Sequence, residues 1–241
     1  MIDITYYTDP LCCWSWAFEP QWRKLLYAFD GQIKYRYCMG GLLPGWKHYN
    51  DSVNSVSKPI QMGPVWMHAK QLSGMPIQHN IWIQNPPASS YPACIAVKCA
   101  ALQSAAAEEA YLRAAREAVM ISSENIADND VLIPLAATTA AQIPGFDVDR
   151  FKKDLKDENG FDSFRKDLQE TKYYNINRFP TLVVKGDKNR GVIISGYRPY
   201  DQVIEAISKL SDLKKTHDPI VVEEYKARWN SLTARELEEV G

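Results

Sequence analysis

Two short stretches carry residues that could do chemistry. The first is Cys12-Cys13-Trp14-Ser15, which follows a β-prone run and opens a helical one. A sulfur at the start of a helix faces unsatisfied backbone N–H groups and the positive end of the helix dipole. Both favour a thiolate, and such settings bring a thiol from about 8.5 down to roughly 3.5–7.5. Cys12 is therefore the expected nucleophile. The second stretch is Arg178-Phe179-Pro180-Thr181, at the entry to a strand. Proline ahead of a strand is common at a sheet edge.

Ser15 stands three residues after Cys12, on the same helix face, where its hydroxyl could donate to the sulfur. It cannot resolve a mixed disulfide, so an external thiol would have to complete any exchange. Cys13 offers no substitute, because a bridge between adjacent residues is strained; it is expected to be an exposed or oxidisable bystander. Cys38, Cys94 and Cys99 read as core residues. The cysteines have no metal-ligand spacing, and no metal site is expected. Trp14 is expected to be partly exposed beside the thiol, whereas His48, His68 and His79 are scattered singly. The charged Arg235-Glu236-Leu237-Glu238-Glu239 run reads as solvated helix.

The elements that must position these residues follow from periodicity. Residues 2–7 are β-prone and stop at Pro10. An apolar stripe of Trp14, Phe18, Trp22, Leu25, Leu26 and Phe29 predicts one helix to Gly31. Residues 32–38 alternate as a second strand, giving a parallel β-α-β crossover. Residues 40–62 read as an irregular loop. Helices are then predicted from Pro64 to Gly74, from a Ser90 cap to about 107, and over 108–122, 129–142, 147–157 and 161–174. Residues 181–185 and 191–195 form a hairpin about a turn at 186–189. It should share a sheet with the first strand. A helix follows at 199–210, and the last thirty residues are charged and mostly helical.

These residues resemble the DsbA-like thioredoxin family, and most closely its FrnE-type branch of dithiol–disulfide isomerases. The resemblance is carried by Tyr7-Thr8-Asp9-Pro10-Leu11-Cys12-Cys13-Trp14-Ser15-Trp16, by Tyr91-Pro92-Ala93-Cys94-Ile95-Ala96-Val97, and by Phe179-Pro180-Thr181-Leu182-Val183. It covers roughly residues 1–210. The family's second active-site cysteine is replaced here by Ser15. The resemblance implies an α/β thioredoxin fold with an all-helical insertion between its βαβ and ββα halves. The thioredoxin-like part takes 1–62 and 178–213, the insertion 63–177, and a C-terminal helical extension 214–241. It further implies Cys12 as nucleophile and a cis Pro180, with Trp14, Phe179 and Pro180 contacting a protein or small-molecule disulfide.

The implied function is a monothiol thiol–disulfide oxidoreductase or protein-disulfide isomerase working through C-x-x-S. No cofactor is expected to be tightly bound; glutathione or another low-molecular-weight thiol would serve as co-substrate. One alternative is a glutathione-dependent transferase or isomerase of the kappa or hydroxychromene-carboxylate type, which places Ser at the helix start. Another is a non-catalytic adaptor, since relatives of this fold present partners to a protease.

Composition agrees with a globular chain: 241 residues, 46% hydrophobic and 24% charged. A net charge of −1 argues against nucleic acid or an anionic membrane as partner. The first residues lack the pattern of a secretory leader. With five cysteines, an odd number, a reducing cytoplasmic setting is expected. The sequence does not indicate an oligomeric state.

Overall fold

A computed structural model describes residues 1–186 and 190–241, with the backbone alone at His48. Most of the turn expected at 186–189 therefore lies outside the described residues. Strand β1 (Ile2–Thr8) shows why the fold forms around it. Its alternation sends Ile2, Ile4 and Tyr6 into the main core and Tyr7 into a second cluster with Cys12, Cys38 and Phe179. Strand β2 (Ile33–Met39) lies parallel to β1, from Ile2 opposite Ile33 to Thr8 opposite Met39. Strand β3 (Thr181–Lys185) runs antiparallel along the other edge of β1, and β4 (Gly191–Ser195) antiparallel to β3. The sheet order is β2-β1-β3-β4. This is the expected sheet, with the hairpin at its expected residues.

The helix expected over 14–29 is two helices, α1 (Cys13–Ala17) and α2 (Glu19–Ala28). Pro20 explains the break: it has no N–H for the Trp16 carbonyl, and its ring crowds the preceding turn. The apolar stripe runs on across the break, and Trp22, Leu25, Leu26 and Phe29 are all buried. Trp22 donates to the Tyr37 hydroxyl at 3.0 Å and stacks edge-on against Tyr6, so α2 is pinned to β1 and β2. Truncating such a residue to alanine would cost about 3–5 kcal/mol.

Helices α3 (Met62–Ser73), α4 (Ile81–Gln84), α5 (Tyr91–Ala101), α6 (Ala105–Met120), α7 (Asn129–Gln142), α8 (Val148–Lys156) and α9 (Asn159–Tyr173) lie between β2 and β3. The expected loop at 40–62 contains two single 3₁₀ turns, at Trp46–His48 and Pro59–Gln61. α3 ends at Gly74 in the left-handed region, as a C-cap requires. α5 and α9 cross closely: a Cβ on Gly160 would fall 2.3 Å from Cys99 Sγ. α9 is tied to the sheet by polar contacts. Asp167 accepts from the Met39 N–H at 2.8 Å and pairs with buried Lys98 at 3.2 Å. Glu170 accepts from the Tyr7 hydroxyl at 2.6 Å and pairs with Arg36.

After α10 (Tyr200–Ser208), which packs on α2 and β4, the chain returns over α2 through α11 (Val222–Arg228) and α12 (Ala234–Glu238). The reading of residues 235–239 as solvated helix is corrected here. Glu236 is fully buried, and both its oxygens accept from Arg113 at 2.9 Å while Arg23 lies at 3.1 Å. Arg116, 1% exposed, bonds Glu19 at 2.7 Å. Isolated buried charges are very costly, so these partners keep the C-terminal helix in place. Among the described residues, no helix is long and apolar enough to cross a membrane.

Candidate functional site

Cys12 sits where β1 hands over to α1. Asp9-Pro10 ends the strand, the Asp9 carbonyl accepts from the Cys12 N–H at 3.1 Å, and Cys12 caps α1. Its sulfur accepts from the Ser15 N–H at 3.4 Å and donates to the Phe179 carbonyl at 3.6 Å. The Phe179–Pro180 peptide is cis, as the family resemblance implies. Cys12, Ser15, Phe179 and Pro180 thus converge, although Cys12 and Phe179 stand 167 residues apart in the chain.

What does not follow the sequence reading is the state of the sulfur. Cys12 is only 4% exposed. Burial raises the thiol above its ordinary value, and the charge of Asp9 adds to the effect. The Ser15 hydroxyl, its N–H and that of Trp14 oppose this without reversing it. The expectation of a depressed, thiolate-forming cysteine is therefore corrected. Desolvation outweighs the amide groups, and α1, at five residues, carries a small dipole. Ser15 is fully buried, and its hydroxyl oxygen completes no well-formed hydrogen bond. It lies close enough to the sulfur to favour its anion without becoming a strong donor.

Cys13 is corrected likewise: it is buried in the main core, and its thiol is pushed well up by desolvation. All five cysteines are free and buried. Trp14 is half-buried, as expected, with its ring edge-on to His68 at 5.3 Å and tilted to Tyr197 at 6.2 Å. It packs against the apolar cluster of Tyr7, Cys12, Cys38 and Phe179. Phe179 is buried, and its ring fills the space above Gly40. Among the described residues, no group of three or more His, Cys, Asp or Glu could hold a metal.

Sequence reasoning missed Asp9, Ser90 and Cys94 as a unit. Asp9 is fully buried, with one oxygen accepting from the Leu11 N–H at 2.8 Å. The other accepts from the Leu42 N–H at 2.6 Å, the Ser90 hydroxyl at 2.8 Å and the Cys94 thiol at 3.3 Å. Ser90 stands at the N-cap position of α5, as expected, but its side chain makes no cap bond. A bond to a buried carboxylate is stronger than one to a helix N–H, so the hydroxyl turns to Asp9. The only signal in the sequence is that two of the segments carrying the family resemblance contain an acid and a thiol.

Two open grooves lie away from the sulfur. One, of about 640 Å³, runs between Gly74, Ile121 and the 231–238 segment. The other, of about 590 Å³, lies between Ile95, Val131 and Phe161. Neither is lined by Cys12, Ser15, Phe179 or Pro180.

Comparison with known proteins agrees with this architecture. A protein of Halalkalibacterium halodurans named ClpXP adapter protein SpxH is 29% identical over 220 residues, covering 90% of this chain and 70% of the relative. The protein of the same name from Bacillus subtilis is 26% identical, covering 87% and 67%. Among solved structures, the cytosolic disulfide reductase DsbM of Pseudomonas aeruginosa has a TM-score of 0.63 at 20% identity, covering 87% of this chain and 100% of that one. A 2-hydroxychromene-2-carboxylate isomerase has a TM-score of 0.60 at 17% identity, covering 86% and 95%. At these identities the structural likeness shows the fold alone, which is the DsbA-like thioredoxin architecture. The thioredoxin family model matches residues 6–205, and the chain belongs to that family.

Proposed function

We propose that this chain is a non-catalytic adaptor on a thioredoxin scaffold, which binds a protein client in the cytoplasm and passes it to the ClpXP protease. The observation that carries this reading is the enclosed Cys12 sulfur, held as a thiol and facing Ser15 where a resolving thiol would stand. A thiol–disulfide enzyme needs a thiolate that can reach its substrate and a second thiol that can release it. The names of the curated relatives support the same reading. The test is protein turnover in the native cell. Deleting the gene should lengthen the half-life of at least one ClpXP substrate, and a Cys12→Ala chain should restore rapid turnover. Lengthening that persists in cells lacking ClpX, or a Cys12→Ala chain that restores nothing, would remove the adaptor reading.

A second reading draws on the cis Phe179–Pro180 bond and the Phe179 carbonyl 3.6 Å from the sulfur. That backbone could pair with an extended substrate beside Cys12, with Trp14 and Phe179 flanking it. The enzyme would then be a monothiol reductase or isomerase: Cys12 displaces one sulfur of a disulfide, and glutathione attacks the mixed disulfide to regenerate the thiol. The kappa-type and hydroxychromene-carboxylate alternative would use the same corner, and it requires the buried Ser15 hydroxyl to open toward a bound glutathione thiolate. Glutathione-dependent turnover that vanishes in Cys12→Ser supports the reductase, whereas turnover lost only in Ser15→Ala supports the transferase.

A further inference from the structure

We propose that Asp9 is the positioning residue of this site: its buried carboxylate ties the turn carrying Cys12 to the loop after β2 and to the start of α5, and sets a negative charge near the Cys12 sulfur. One side chain joins three segments distant in the chain, through Leu11, Leu42, and the Ser90–Cys94 pair. Burial raises the Asp9 carboxyl above its ordinary value, and the four convergent donors oppose that rise. They replace part of the water shell that a carboxylate loses on burial and so resist its protonation. Among the described residues no cation pairs with it, so its negative charge is not cancelled locally.

The turn holds that charge close to the sulfur, since the Asp9 carbonyl accepts from the Cys12 N–H itself. Two anions in one enclosed space repel strongly, and here the carboxylate is the better solvated. The Ser15 hydroxyl and N–H act on the sulfur in the opposite direction, and burial outweighs them; the remaining groups bring no cancelling charge. Tyr6 and Tyr49 remain neutral, their hydroxyls held up mainly by burial, and Cys13 is a buried thiol. Tyr7 and Cys38, in the same apolar cluster, are also held neutral. Arg116 carries the one opposing charge among these groups, and it is already paired with Glu19 at 2.7 Å and bonded to the Thr8 hydroxyl. Asp9 thereby adds to the burial that holds the Cys12 sulfur as a thiol.

The inference goes beyond the adaptor reading and can fail separately from it, because its readout is a titration and not turnover. The experiment follows the Cβ carbon of Cys12 by NMR as a function of pH in the full chain, with Cys12→Ala for assignment. In Asp9→Asn the thiol-to-thiolate midpoint should fall. The amide hydrogens of Leu11 and Leu42 should also exchange faster. A midpoint that stays put or rises would overturn the proposal, because a purely structural aspartate has no reason to lower it. A second measurement needs no variant: the Asp9 side-chain carbon of the native chain should carry the carboxylate shift at neutral pH. A protonated carboxyl there would equally overturn it.

Discussion

The ring of Phe179 occupies the volume that a side chain at residue 40 would need: a Cβ on Gly40 would fall 1.9 Å from Phe179 Cζ and 2.2 Å from Cε1. Gly40 is fixed in turn, because its N–H donates to the Thr8 carbonyl at 2.7 Å. Gly40→Ala should therefore push Phe179 away and destabilise the fold by about 1–3 kcal/mol, the usual cost of overpacking. Because the Phe179 carbonyl accepts from Cys12, the displacement should also expose the sulfur. Urea unfolding would give the first effect and the rate of Cys12 alkylation the second. An alanine that leaves both unchanged would show that the ring has room elsewhere.

The scaffold was legible where pattern and punctuation are local. The hairpin at 181–185 and 191–195 and the helix at 129–142 form at the residues that alternation and helical period indicate. Cys12 at a helix start and Pro180 beside it could also be read, since a short motif carries each. The state of the sulfur could not, because it depends on burial supplied by residues from distant parts of the chain. Pro20 was visible, but the apolar stripe crossing it concealed the break. Glu236 looked like a solvated charge because its partners, Arg23 and Arg113, lie far away in sequence.

Ser15→Cys tests the missing thiol directly. Helical spacing places residues 12 and 15 on one face, and the Ser15 N–H already points at the Cys12 sulfur. Under a mild oxidant the variant should form a disulfide between Cys12 and the introduced thiol, removing both from a thiol titration in urea. The native chain, with Ser15, should lose no thiol at this pair of positions. The enclosed position predicts slow formation, and the larger sulfur at a fully buried site should cost about 1–3 kcal/mol. Under the adaptor reading, this variant should still restore client turnover.

Cys99 should make the fold sensitive to alkali. Burial pushes its thiol up to about 12, with the Asp154 charge adding to it. The folded form thus holds its proton at pH values where the unfolded chain, titrating near 9.0, releases it. Stability must then fall as pH rises above the unfolded value, by about 1.4 kcal/mol per pH unit for each such thiol. Cys99→Ala should flatten the slope by that amount, at a cost of about 1 kcal/mol near neutrality for the lost packing against Gly160. Urea midpoints from pH 8 upward would show it; parallel curves would count against the buried-thiol account.

Glu236 should give the opposite pH signature. Burial alone would raise its carboxyl, but Arg113 and Arg23 outweigh that and hold it below the ordinary value of 4.5. A depressed acid contributes stability that is complete above its unfolded value and is lost as pH falls through the folded one. Glu236→Gln leaves Arg113 and Arg23 buried without their main partner, and near neutrality it should cost about 3–5 kcal/mol. The gap between variant and wild type should close as pH drops below about 4, because protonation removes the same charge from the native chain. Hydrogen exchange at neutral pH should show the loss concentrated in α12 and the segment at 231–233, which Thr233 and Ser231 anchor through Glu236, Arg23 and Glu117. If Glu236→Gln were as stable as wild type, Glu19 and Glu117, which also pair with Arg23 and Arg113, would be sufficient partners. The C-terminal helix would then be a passive cover for α2, with no part in fixing it.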